Sequence, residues 1–295
     1  MSVNRSSFKQ EDQLFYGVHP DGILEVKFNN PSKKNAWTKD TQVRLTQIFK
    51  QANKDDNVKV VFLHGGSYYS SGNDLSAFGK AFSSGDVKQA IKDAKYGATV
   101  VMVEMLTAVM DCEKPLVCMI SGAAFGIACT MTALADFIYC TPEATFNSPF
   151  MSTFQSPEGG STVTYPLQMG KRLASEVLFT DRPITAQDAL QIGYINAILD
   201  PKEVFTADGN FFDVTKIPCI PKLLKNDLKT MMNAKKLITQ GMNREFMIEC
   251  FKREGKALFD RWMDPDFLPN IMKVISSNAE KSKKAGGAGN GKPKL

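Results

Sequence analysis

Apolar residues recur along this chain in two rhythms, one of strands and one of helices. Leu14–Val18 and Ile23–Phe28 read as strands around the turn signal His19-Pro20-Asp21-Gly22. In the second, Ile23, Leu24, Val26 and Phe28 form a partly alternating apolar set, with Glu25 and Lys27 expected to face outward. A polar loop, NNPSKKNAW, follows. Thr38 is placed to cap a helix on which Leu45, Ile48, Phe49 and Ala52 make one apolar stripe. Residues 58–63 are strongly apolar, as a strand buried on both faces requires.

Further along, residues 72–94 are mixed and polar and suit a lid or a pair of short helices. Residues 99–110 predict a long apolar helix stopped by Pro115, and Leu116–Ile120 another short buried strand. The small apolar run 126–135 suits a buried helix; Phe137–Cys140 and residues 144–146 read as strands. Helices are expected over 161–169 and 171–179. Thr185 and Asp188 form a capping box for a short helix that Gly193 ends, and 195–199 returns to strand. Beyond about Pro201 the strand signals stop, and 221–238, 243–263 and 267–275 read as helices. The pattern predicts an arm over 1–13, an α/β core over 14–200, a helical region over 201–279 and a flexible basic tail over 280–295, disordered from Ala285. Phe246, Met247, Cys250, Phe251, Leu258 and Phe259 are expected to serve as core or subunit contacts.

Composition narrows the class. With 295 residues, 43% hydrophobic and 23% charged, the chain is a globular α/β domain with an appendage. The net charge of +5 is matched by five lysines after Glu280, so the folded body is close to neutral and nucleic acid is not an expected partner. Six cysteines without a CxxC read as reduced, mostly buried thiols of an intracellular protein. Two histidines, His19 and His64, are too few for a His-rich metal site, and His64 reads as a packed or capping imidazole. No secretory signal or membrane-spanning run is read. The sequence ends Pro293-Lys294-Leu295, one residue from the SKL peroxisomal address, or else an ordinary basic tail.

Three segments carry candidate chemistry. In Ser70-Ser71-Gly72-Asn73-Asp74-Leu75, Gly72 permits a turn that aims backbone N–H groups at one point; a plain strand-to-helix turn capped by Asn73 or Asp74 fits as well. In Gly122-Ala123-Ala124-Phe125-Gly126-Ile127, small residues allow close approach of a ligand, and a helix starting near Gly126 presents free N–H groups; close helix packing explains the same residues. In SPFMSTFQSPEGG, Glu158 sits between Pro157 and two glycines, either as an exposed acid favouring a helix N-terminus or as a base. The first two loops follow strands, where ligands bind in α/β sheets. Together the pieces are those an enolate-forming enzyme needs: a carboxylate to take an α-proton and N–H donors for the oxyanion.

SSGNDLSAF, KPLVCMISGAAFGIA and NSPF…QSPEGGS, in this order, resemble the crotonase (enoyl-CoA hydratase/isomerase) superfamily, and within it the peroxisomal Δ3,Δ2-enoyl-CoA isomerases. The likeness runs from about Leu14 to Leu199. It implies a ClpP/crotonase-like α/β fold of repeated ββα units with a C-terminal helical region. By the resemblance, Glu158 is the catalytic base/acid, the N–H groups of Asn73 and Ile127 form an oxyanion hole, and Ser71, Gly72, Asn73, Asp74, Leu75, Gly126 and Phe150 bind substrate. Hydratases of the superfamily use two water-handling acids; their positions hold Thr130 and Phe150 here, which favours isomerisation. Phe150 and its neighbours are expected to raise the pKa of Glu158, with a helix N-terminus opposing.

The resemblance further implies an acyl-CoA substrate, no metal or redox cofactor, and a homotrimer or dimer of trimers. It implies a peroxisomal place reached through an import receptor. Some animal relatives carry an N-terminal acyl-CoA-binding domain, for which this chain has no room. Alternatives are another crotonase-fold enzyme, such as a dienoyl-CoA isomerase or thioester hydrolase, or a non-catalytic acyl-CoA-binding or scaffold protein like some chromatin-associated relatives. Lys80 is a candidate for the CoA phosphates, or simply a surface lysine.

Overall fold

A computed structural model describes residues 5–76, 86–241 and 243–287, with side chains described as far as 277. Lys80 and Pro293-Lys294-Leu295 lie outside the described residues. The strands are β1 (Lys9–Glu11), β2 (Leu14–Val18), β3 (Ile23–Phe28), β4 (Val60–His64), β5 (Leu116–Ile120), β6 (Ala123–Phe125), β7 (Phe137–Cys140), β8 (Thr145–Asn147), β9 (Ile184–Thr185) and β10 (Ala197–Ile198). The helices are α1 (Lys39–Lys54), α2 (Val87–Tyr96), α3 (Met102–Met110), α4 (Ile127–Thr130), α5 (Ser161–Thr180), α6 (Ala186–Gln191), α7 (Pro201–Val204), α8 (Ile220–Leu223), α9 (Leu228–Gln240), α10 (Arg244–Met263) and α11 (Phe267–Gly287).

Seven strands form one sheet in the order β1-β2-β3-β4-β5-β7-β10, antiparallel through β3 and parallel from β3 onward. Val26 pairs with Leu63, and Leu63 with Cys118. Side chains alternate between the two faces of the sheet, and both faces are covered. Val61, Leu63, Cys118 and Ile120 join the larger core with α1 and α3. Val60, Phe62, Val117 and Met119 join a second core with Phe212, Val214, Ile217 and Ile220.

That second cover overturns one expectation. Glu25 and Lys27 do not face outward: they are 0% and 8% exposed, because the largely irregular segment after α7 lies across their face of the sheet. Glu25 is held by Arg5 (2.8 and 3.1 Å), His19 Nε2 (2.8 Å) and His64 Nε2 (3.0 Å). His64 Nδ1 accepts from Gly66 N, so the network leaves Nε2 to donate to Glu25. Both histidines of the chain therefore serve one buried carboxylate, in line with the packed reading of His64.

A second sheet of three short strands, β6-β8-β9, adjoins the candidate loops. β6 was expected as loop. Its three small or aromatic residues show no period, and their strand form comes from pairing with β8. Three helical expectations also change. The helix expected over 99–110 continues from α2 through a π-helical turn at Gly97–Val101, against which Gly255 of α10 packs. The helix expected over 126–135 divides into α4 and a 3-10 turn, Met131–Leu134. The helix expected over 221–238 divides into α8 and α9, with Asp227 capping the second. The tail is also shorter than expected, because α11 continues as helix to Gly287 instead of ending before Ala285. Its first half is anchored by the buried Phe267 and Ile271, and the helix formers that follow extend it. All six cysteines are free and buried. Phe246, expected as a contact, is half exposed, whereas Met247, Cys250, Phe251 and Leu258 are buried. Among the described residues, no helix is long and apolar enough to cross a membrane.

Candidate active site

The three candidate segments are joined by backbone hydrogen bonds. Ser70 N donates to Ala123 O (3.2 Å) and Phe125 N to Ser70 O (3.0 Å), so the first loop runs alongside β6. Gly126 N donates to Asn147 O (2.9 Å), which ties the second loop to the strand leading into the Glu158 loop. Gly72 has φ +76°, and a Cβ there would stand 2.5 Å from Phe125 O; only glycine permits this approach.

Asn73 is fixed from the other side. Trp37 N donates to Gly72 O (2.8 Å) and Asp74 N donates to Trp37 O (2.9 Å), a parallel bridge that leaves the N–H of Asn73 pointing away from Trp37. The Asn73 side chain accepts from Gln42 Nε2 (2.8 Å) on α1. Gly126, at φ +52° and ψ −129°, precedes α4, and its carbonyl accepts from Cys129 and Thr130. Ile127, at the first position of α4, thus has an N–H that the helix cannot use. Among the described residues, neither N–H has a protein acceptor.

The third segment turns twice before its helix. Met151 N and Ser152 N donate to the Asp181 carboxylate (3.0 and 2.6 Å), pinning the chain after Phe150. Gly159 and Gly160 follow Glu158 at φ +74° and +79°, and α5 begins. A Cβ on Gly159 would strike Thr130, and one on Gly160 would lie 2.8 Å from Phe251. The two glycines therefore let Glu158 fold inward to 4% exposure. Its Oε2 is buried without a hydrogen-bond partner.

Burial pushes the Glu158 carboxyl well above its ordinary pKa of 4.5, and the charge of Glu254 adds to the shift. The Thr130 hydroxyl, within reach of the carboxylate, opposes it. That hydroxyl also has two long contacts to the Gly126 and Ile127 carbonyls, 3.3 and 3.4 Å. The opposition expected between apolar surroundings and a helix N-terminus is thus decided for burial.

Glu158, Asn73 and Ile127 line one cavity of about 1150 Å³. Of the other expected site residues, Ser71, Gly72, Leu75, Gly126 and Phe150 line it too. Asp74 does not. Its carboxylate turns to Lys33 Nζ (2.9 Å) and to Ser76 N (3.0 Å), so it braces the loop from outside. Sequence reasoning missed Lys34, Tyr68, Leu258, Asn270 and Lys273 on the same cavity. The last three come from α10 and α11, and no local signal connects those helices to a loop more than a hundred residues earlier. A carboxylate with an unpartnered oxygen, lining one cavity with two N–H groups that have no protein acceptor among the described residues, can take a proton from a carbon next to a carbonyl.

A sequence model described as "Enoyl-CoA hydratase/isomerase" matches residues 19–257. The chain belongs to this family. It is 34% identical over 267 residues to enoyl-CoA delta isomerase 2 of Rattus norvegicus, covering 90% of this chain and 64% of that protein. It is 34% identical over 188 residues to peroxisomal enoyl-CoA delta isomerase 3 of Mus musculus, covering 64% and 57%. The chain therefore spans less than two thirds of the length of these curated relatives. An enoyl-CoA hydratase/isomerase from Pseudoalteromonas atlantica T6c superposes with TM-score 0.75 at 22% identity, over 90% of this chain and 97% of that one; it shares the fold. The crotonase-type fold read from the motifs is thus the one observed.

Proposed function

We propose that this member of the family is a Δ3,Δ2-enoyl-CoA isomerase, moving the double bond of a 3-enoyl-CoA to the 2-trans position. One observation carries the reading: among the described residues the cavity is lined by a single buried carboxylate, Glu158, and the positions of the two hydratase acids are occupied by Thr130 and Phe150, which are 0% and 3% exposed. The thioester oxygen accepts from the N–H groups of Asn73 and Ile127. Glu158, ionised, takes a proton from C2; the electron pair moves through C2 and the carbonyl carbon onto oxygen, giving a dienolate. The proton then returns from Glu158 to C4, the C3–C4 double bond becomes C2–C3, and the carboxylate is regenerated.

The raised proton affinity of Glu158 suits a base that must accept a weakly acidic carbon-bound proton, and general-base action of this kind contributes about 10²–10⁴-fold. Each oxyanion donor would contribute about 2.7–4 kcal/mol of barrier lowering. Apolar Phe150 keeps water from the dienolate. The thioester acidifies C2, so the cycle needs no metal or redox cofactor. The relatives' names support the isomerase reading, and the mouse relative's name supports a peroxisomal place.

The test supplies 3-trans-, 3-cis- and 2-trans-enoyl-CoA separately to the purified protein and identifies products by chromatography. Formation of 2-trans-enoyl-CoA from the 3-enoyl substrates, with little 3-hydroxyacyl-CoA, is expected. Predominant hydration, or release of free CoA, would replace this reading with a hydratase or a thioester hydrolase.

A further inference from the structure

A second buried carboxylate stands behind Glu158. Glu254 on α10 is 5% exposed. It accepts from Gly160 N (2.6 Å), Thr162 N (3.0 Å) and Thr162 Oγ1 (2.6 Å). These amides begin α5, where a helix leaves N–H groups unpaired and favours a negative charge. Gly160 occupies the capping position and has no side chain to fill it, so the cap comes from an element 94 residues away. The next residue, Gly255, rests against the Ala98 carbonyl with no room for a Cβ, which fixes how closely α10 approaches.

The two acids differ in their partners. Glu254 accepts three hydrogen bonds, whereas Glu158 has an oxygen with none. When the pair carries one negative charge, that charge belongs on Glu254. The Cys129 and Cys250 thiols that face the pair are pushed up by burial to about 11, and burial carries the Tyr165 phenol well above 10.0, so all three stay neutral while carboxyls titrate. Among the described residues, Arg253 of α10 acts on Cys250, and Lys33, Lys34 and Lys273 line the cavity.

We infer that Glu254 is a positioning residue for the reaction: it holds the Gly159–Gly160 turn that aims Glu158, and its hydrogen-bonded carboxylate carries the pair's negative charge beside the base. The inference rests on Glu158 being that base. Before proton transfer, two carboxylates repel each other in a buried space. When Glu158 takes the C2 proton it becomes neutral, and the charge reappears across the cavity at the oxygen held by Asn73 and Ile127. The repulsion is relieved in the direction of the dienolate, and Glu254 thereby favours the step without touching substrate.

The test compares pH profiles of kcat/KM on a 3-enoyl-CoA for the wild type, Glu254→Gln, Glu254→Ala and Glu158→Gln. Glu254→Gln keeps an acceptor oxygen and removes the charge. Its acid limb is expected at lower pH than the wild type's, with kcat reduced more than KM is changed. Glu254→Ala, which frees the turn, is expected to lose up to about 100-fold in kcat. A Glu254→Gln profile that superimposes on the wild type's would overturn the inference. So would a loss of activity that follows the folded fraction while the acid limb stays in place. If Glu158→Gln turns over like the wild type, it is the assignment of the base that fails. Should the Glu254 variants not fold, the Gly160 and Thr162 amide proton shifts of the wild type give the answer. Two titration steps are expected, the upper one absent in Glu158→Gln. An upper step that persists in Glu158→Gln would belong to Glu254, show it uncharged while the base titrates, and overturn the inference.

Discussion

Gly159→Ala is the substitution that most directly probes how the base is aimed. A methyl at this position would strike Thr130 Oγ1 and lie 2.6 Å from Thr130 Cβ, well inside van der Waals contact. The backbone adds a second cost, because φ +74° is left-handed and costs an L-residue about 1–2 kcal/mol. Overpacking of this degree costs about 1–3 kcal/mol. Together the change should destabilise the protein by about 2–5 kcal/mol, a fall in melting temperature of roughly 3–8 °C for a chain of this length. Relief of the overlap moves Glu158, so kcat should fall by about 100-fold. Only the steric part depends on Thr130. Thr130→Gly combined with Gly159→Ala should therefore show a favourable coupling of about 1–3 kcal/mol in a denaturation cycle, with partial recovery of kcat. Additive effects, or a Gly159→Ala protein as stable and active as the parent, would refute this account of the turn.

Three further outcomes follow from the same geometry. Gly72→Ala would press its methyl on the Phe125 carbonyl and part the first loop from β6; we expect kcat to fall by about 100-fold or more, checked by steady-state kinetics. Because the Glu158 carboxyl is raised in the folded protein, its contribution to stability is fully present below 4.5 and is lost as pH rises through the folded value. Glu158→Gln should accordingly gain on the wild type in denaturant midpoint as pH increases. Glu25 and His64 are both lowered, Glu25 by its hydrogen bonds to His19, His64 and Arg5 against the effect of burial, and His64 by burial itself. Their contributions are present above 4.5 and 6.5 respectively and fade as pH falls. Glu25→Gln should lose about 3–5 kcal/mol at neutral pH and show a shallower acid decline, read by urea denaturation between pH 4 and 7.

The sequence makes some of this architecture legible and hides the rest for physical reasons. The stripe of α1, the buried parallel strands and the two loops following them are local patterns, and the structure follows them. The double glycine after Glu158 is a local signal too, since consecutive left-handed residues favour glycine. Glu25 was not legible as buried, because its cover is an irregular segment some two hundred residues later. β6 was not legible as a strand, because its form is dictated by Asn147 and its neighbours and not by any period of its own. Asp74 has the residue type of a ligand contact, but Lys33 draws it away from the cavity. Glu254 and Lys273 reach the site only through the packing of the last helices.

The central claim is that Glu158 carries the proton between C2 and C4. It is tested most directly by measuring 3-enoyl-CoA isomerisation by the wild type and by Glu158→Gln, with acyl-CoA binding measured on both. The account predicts turnover by the wild type and a near-complete loss in Glu158→Gln with binding retained. Equal isomerisation by the two proteins would contradict it, and binding of CoA esters without turnover by either would leave a binding module in place of an enzyme.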